Sequence, residues 1–121
     1  MPAPENLRSI AEALDVAAVE LGDLARLGDQ LERILASLAA QADAASPELL
    51  AECQVADLLS QRLVGVAAFV GSLARAAPPA AMVDVMEAVR SLTLAEQAHR
   101  LSGRRFADIR QGGGDVAFFE D

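Results

Sequence analysis

From Glu5 to about Ala42 the chain contains no proline, and Leu7, Ile10, Leu14, Ala17, Leu21, Leu24, Leu31, Leu35 and Leu38 recur at alternating steps of three and four. Side chains at that spacing share one face of an α-helix. Sustained over more than four heptads, the seam demands a long helix that buries an apolar stripe against another helix. Gly28 interrupts the series, and with Gly22 it weakens the helix by about 1 kcal/mol per glycine relative to Ala. A kink or a close helix approach is expected near these two positions.

Ser46-Pro47-Glu48 restarts a helix, because Ser caps and Pro is tolerated at the first helical position. The second helix is predicted from Pro47 to about Ala76 and is stopped by Pro78-Pro79. A third is predicted from about Ala80 to Arg104, with Met82, Val83, Met86, Val89, Leu92 and Leu101 as its apolar positions. Hydrophobic residues make up 53% of the 121, yet Trp and Tyr are absent and only four Phe occur. A core of Leu, Val, Ile and Ala suits packed helices better than a sheet. The expected fold is all-α, a long antiparallel helical hairpin plus a third helix. It closes either as a three-helix monomer or, by dimerisation, as a four-helix bundle. Residues 1–110 form the helical domain in this reading, and residues 111–121 a Gly linker and tail.

The formal charge of −8, from 18 acidic and 10 basic residues, argues against a nucleic-acid surface, which requires a basic stripe. Cys53 has no second cysteine to pair with, and no Cys/His set has zinc-like spacing, so neither a structural metal nor a cofactor is expected. The opening Met-Pro-Ala-Pro-Glu lacks a basic n-region and an apolar h-region. The most apolar run, Val64 to Val70, is far short of the roughly 20 residues of a membrane span. A cytoplasmic protein without membrane contact is the expectation.

On the second helix, 100° per residue places Val55, Leu59, Leu63, Val66, Val70 and Leu73 within roughly 40° of one direction, the expected buried stripe. Asp57 and Gln61 lie opposite, in the company of Leu50, Gln54, Gly65, Ala68 and Ser72. A carboxylate and a carboxamide four residues apart can aim at one target, and the small residues beside them let another protein approach. An ordinary solvated face is the bland alternative. After Gln111-Gly112-Gly113-Gly114 comes Asp115-Val116-Ala117-Phe118-Phe119-Glu120-Asp121. It reads either as a disordered or folded-back end, or as a tethered peptide whose Phe118 and Phe119 dock in a partner while Asp115 and its neighbours set specificity.

Asp57-Leu58-Leu59-Ser60-Gln61 resembles the Asp-x-x-x-Gln signature of the CheZ-type chemotaxis phosphatases, and the size is closer to their small CheT-like members. The resemblance covers about a dozen residues around the motif, together with the hairpin layout and the tethered acidic tail. It implies a homodimer and a partner that is a CheY-type response regulator receiver domain. Gln61 would position the attacking water on its aspartyl phosphate, and Asp57 would hold its active-site Lys. The Mg2+ would be supplied by the receiver. Gln54, Gly65 and Ala68 would contact the partner. An amide suits such a site because it accepts from water and donates to a phosphoryl oxygen without adding negative charge. For the short members phosphatase action does not follow, and binding to another chemotaxis protein, such as a receptor methyltransferase, is the alternative.

Ala98-His99-Arg100-Leu101-Ser102-Gly103 resembles the Ala-His-x-Leu-Lys-Gly signature of histidine phosphotransfer domains, with Ser102 where the family has Lys. A His at a helix end ahead of Gly103 also reads simply as a polar residue of a C-terminal cap.

Overall fold

The computed structural model describes residues 6–41 and 46–103. Their element order is β1 (Leu7–Ser9), α1 (Ile10–Gln41), α2 (Pro47–Ala76), β2 (Met82–Asp84), α3 (Val85–Val89) and α4 (Ala95–Leu101). The fold is all-α, with one short antiparallel ribbon added to it. Two compact units divide the chain, residues 17–73 and a second made of the segments on either side.

Residues 17–73 carry most of the two long helices. α2 begins and ends at the residues expected from its punctuation, because Ser46 accepts the Leu49 backbone N–H at 3.0 Å and Pro78 stands just past its end. Gly28 lies thirteen residues before the end of α1 and Ser60 thirteen after the start of α2. These two positions meet, so the helices fold back on each other as an antiparallel hairpin. A Cβ built on Gly28 would lie 3.4 Å from the Ser60 Cβ and 3.5 Å from its Cα, whereas one on Gly22 would touch nothing within 4 Å. The close approach is therefore at Gly28 alone of the two. Ser60 is 4% exposed, and its hydroxyl reaches the Ala25 carbonyl at 3.1 Å and also the Asp29 carboxylate.

The stripe that faces α1 differs from the sequence expectation. On α2 the more enclosed positions are Cys53, Ala56, Ser60, Leu63, Ala67 and Val70, again at steps of three and four but mostly small. Val55, Leu59, Val66 and Leu73, expected to be buried, are exposed, and of that set only Leu63 and Val70 are half-buried. On α1 the seam likewise runs through Ala25 and Gly28, while Leu31 and Leu38 stand outside it. The physical cause is the close approach. Where two backbones come this near, only Gly, Ala and Ser fit between them, and the seam rotates away from the Leu and Val stripe.

In the second unit, β1 pairs with β2 in the register Leu7↔Asp84, Arg8↔Val83 and Ser9↔Met82. That pairing delays α1, expected from Glu5, until Ile10, where Ser9 accepts the Glu12 backbone N–H at 3.0 Å as its cap. The third helical segment is divided for the same reason. Met82–Asp84 is extended, Asp84 caps α3 through Met86 N–H at 3.0 Å, and residues 90–94 separate α3 from α4. α4 ends at Leu101, and Gly103, just past its Ser102 cap, has a φ of +82°, the left-handed conformation that glycine adopts without a Cβ clash.

Candidate functional site

Helical phase sorts the surface of residues 17–73 into two sides. On α1, Leu27, Leu31, Ile34 and Leu38 form one stripe, and on α2 Val55, Leu58, Leu59, Val66, Phe69 and Leu73 form another. Each stripe precedes the seam of its own helix by roughly 110° of rotation. Because the helices run in opposite directions, equal offsets of the same sign put both stripes on one side of the hairpin. Exposure there reaches 64% at Phe69, 62% at Val55 and 59% at Leu27. Val55, Leu58, Leu59, Leu63 and Val66, with Arg62, line an open groove of about 390 Å³ on this side.

Asp57 and Gln61 lie on the other side, about 90° and 130° past the seam. Asp57 is half-buried at its edge and Gln61 is exposed. The Gln61 Nε2 donates to Asp57 Oδ2 at 2.7 Å, so the two side chains stand together on consecutive turns. One turn of α2 thus presents a carboxylate and an amide side by side, the amide using its NH2 in that bond and keeping its carbonyl oxygen as an acceptor. Gln54, Gly65 and Ala68 share this side and are exposed, and a Cβ on Gly65 would meet nothing within 4 Å. The structure places these five residues along one open face. Asp115, Phe118 and Phe119 lie outside the described residues, as do Arg104 and the rest of the tail.

Asp29 joins the edge of the polar side through its hydrogen bond from Ser60. The sequence pattern by itself singles out neither Ser60 nor Asp29. The signal available was the stripe of small residues at Ala56, Ser60 and Ala67 on the second helix, with Ala25 and Gly28 as small residues on the first.

A cavity of about 290 Å³ occurs in the other unit, lined by Arg8, Glu12, Asp15, Val85, Arg100 and Ser102 among others. Its charges are mixed, two guanidinium groups with two carboxylates, which does not select one sign of ligand. His99 on α4 has its Nε2 enclosed and without a hydrogen-bond partner among the described residues. A phosphodonor would have to displace that packing to reach the nitrogen. No cluster of His, Cys, Asp and Glu among the described residues is placed to hold a metal.

α2 is long and apolar enough, by length and composition alone, to cross a membrane, a property that counting only the uninterrupted run Val64 to Val70 does not reveal. Asp57, Gln61 and Arg62 at its middle are the kind of side chains that hydrocarbon penalises. No curated protein and no solved structure matches the chain. A family does match, over residues 6–119, which includes both long helices and the polar face. The protein belongs to the family described as Domain of unknown function (DUF8776).

Proposed function

We propose that the Asp57/Gln61 face binds a CheY-type receiver domain in a two-component or chemotaxis pathway and promotes loss of its aspartyl phosphate. The observation that carries the reading is the 2.7 Å hydrogen bond holding Gln61 against Asp57 on the open side of α2. A cationic Lys of the receiver competes for the Asp57 carboxylate, because a charge-assisted contact is stronger than one from a neutral amide. The Gln61 amide is then released toward the phosphoryl group. Its carbonyl oxygen accepts from a water, and its NH2 donates to a phosphoryl oxygen. The water oxygen bonds to phosphorus, the bond from phosphorus to the receiver carboxylate breaks, and inorganic phosphate leaves. Positioning is the contribution asked of this chain, and the Mg2+ that offsets phosphoryl charge belongs to the receiver.

Gly65 and Ala68 leave room beside the pair, and Gln54 extends its polar surface by a turn toward Pro47. The cytoplasm is the compartment in which such a partner is met. Mixing the protein with a phosphorylated receiver from the same cell and following phosphate release tests the proposal. Faster release by the wild type, lost in Gln61→Ala, supports it, and equal rates for the two proteins refute it.

A second reading is an adaptor that binds the receiver, or another chemotaxis protein such as a receptor methyltransferase, without turnover. It is favoured by the same hydrogen bond, since a pair that satisfies itself needs no catalytic role. Capture of the partner that is weakened by Asp57→Ala while phosphate release stays at the background rate selects it. Transfer of phosphate to His99 is the third reading, and the enclosed Nε2 weighs against it. An acid-labile label on His99 after incubation with a phosphodonor would reinstate it.

A further inference from the structure

We infer that the apolar side of the hairpin is the interface with a second copy of this chain, packed face to face so that Leu27, Leu31 and Ile34 of α1 and Val55, Leu59 and Phe69 of α2 become the core of a four-helix assembly. The inference stands apart from the receiver-binding reading, which concerns the opposite side.

Three observations select a second copy. The first is area. Ten large apolar side chains on this side are between 42% and 64% exposed, which leaves on the order of 1,000 Å² uncovered. The largest patch on a typical monomer is about 300–600 Å², and a standard interface covers about 800 Å² per partner.

The second is what the isolated hairpin lacks. Its buried hydrophobic residues within 17–73 are Ala25 and Ala56, and no large side chain among the described residues is fully buried. A helix pair that encloses only small residues leaves its Leu, Val and Phe without the packing that normally stabilises a long amphipathic helix. A second hairpin supplies it, because each face is a pair of helices with apolar ridges at three- and four-residue spacing, the arrangement that four-helix bundles interdigitate.

The third is charge. The chain carries a net charge of −8, so two copies repel through most surfaces. Between Leu27 and Leu38 and between Val55 and Leu73, the stripes contain Arg62 as their one charged residue among those described. Asp29 and Asp57 lie off this side. Asp23, which is paired with Arg26, and Glu48 and Glu52 near the start of α2 are the carboxylates that helical phase leaves on this side, so two copies meet here with few carboxylates set against one another. The same net charge disfavours an anionic lipid surface as the occupant.

Sedimentation equilibrium of the full chain at tens of micromolar tests the inference. The expected mass is twice 12.6 kDa. A wild type that remains monomeric overturns it. Leu59→Ala combined with Phe69→Ala keeps helix propensity and leaves the Gly28–Ser60 seam intact, so the hairpin should still form. At least a tenfold weaker dimer is expected, against an unchanged one for Gly65→Ala on the opposite side. Equal weakening by both, or by neither, overturns the assignment of this face. Should the double variant lose its helical circular dichroism, mass-spectrometric footprinting of wild-type Leu and Phe side chains at rising concentration replaces it. Protection confined to the polar side would then refute the inference. Flotation with neutral phosphatidylcholine vesicles that disperses the dimer would identify a bilayer as the occupant instead and also overturn it.

Discussion

Substituting the helical glycines separates the seam from the surface by a difference that can be worked out in advance. At Gly22 a new Cβ meets nothing within 4 Å, so Gly22→Ala removes backbone freedom from the unfolded chain and adds no strain. It should stabilise the protein by about 0.5–1 kcal/mol. At Gly28 the Cβ lies 3.4 Å from that of Ser60, an ordinary van der Waals contact, so Gly28→Ala should gain a similar amount. Leucine tells the sites apart. At Gly22 its side chain extends into open space and the helix-propensity gain survives. At Gly28 three further carbons are driven into the Ser60 backbone, whose Cα is 3.5 Å from the new Cβ. Overpacking of that kind costs about 1–3 kcal/mol, and the propensity gain offsets about 1 kcal/mol of it. The two leucine variants should therefore differ by about 2 kcal/mol, or several degrees in Tm for a chain of this size. Urea unfolding at one fixed protein concentration is the suitable assay, since dimerisation makes apparent stability depend on concentration. If Gly28→Leu proves as stable as Gly22→Leu, the helices do not approach at Gly28 and the small-residue seam is misassigned.

Ser46→Ala removes the hydroxyl that accepts from Leu49 N–H and should lower stability by about 1 kcal/mol in the same urea assay. Glu48 is held below its ordinary carboxylate value of 4.5 by its own backbone N–H and then by the Ser46 hydroxyl. A depressed folded value means that its contribution is present above about pH 4.5 and is lost as pH falls through the lower folded value. Glu48→Gln should accordingly flatten the pH dependence of Tm below that point, and an unchanged acid slope would count against the assignment. Ser60→Ala, which strips the hydrogen bonds to the Ala25 carbonyl and Asp29, should cost about 1 kcal/mol by chemical unfolding. Gln61→Ala should leave stability within about 0.5 kcal/mol of wild type, because its bond to Asp57 is solvent-exposed, while abolishing any acceleration of receiver dephosphorylation.

How far the sequence determines this molecule differs from element to element. The limits of α2 were legible because Ser46, Pro47 and Pro78 act locally, through a hydroxyl that caps and a ring that has no N–H to donate. The β1/β2 ribbon was not, since Leu7–Ser9 and Met82–Asp84 are three residues each and neither has the length over which alternation is recognisable. Their pairing joins segments more than seventy residues apart, and it alters the start of α1 and the course of residues 80–94 together. The grouping of Asp57 and Gln61 on one face followed from spacing alone. Their mutual hydrogen bond did not, because a carboxylate and an amide at that spacing can each turn to water instead.

The stripe buried within the hairpin was the more instructive difference, since α2 carries two stripes of helical period. Val55, Leu59, Val66 and Leu73 make one, and Ala56, Ser60, Leu63, Ala67 and Val70 make the other. Hydrophobicity ranks the first higher, yet the second faces α1. Small residues permit a short distance between backbones, and the Gly28–Ser60 contact uses that distance. The larger residues then remain for a partner on the side whose stripes hold few carboxylates. This division also fixes where the polar pair must be. Asp57 and Gln61 follow the seam in phase where Val55, Leu59 and Val66 precede it, so a second copy seated on the apolar side leaves both pairs outward. Dimer formation and receiver binding therefore do not compete for surface. A variant that weakens the dimer through Leu59 and Phe69 should still engage a receiver through Gln61 at protein concentrations where the hairpin stays folded. Loss of both functions together in a folded monomer would show that the two sides are coupled, which nothing in their phase requires.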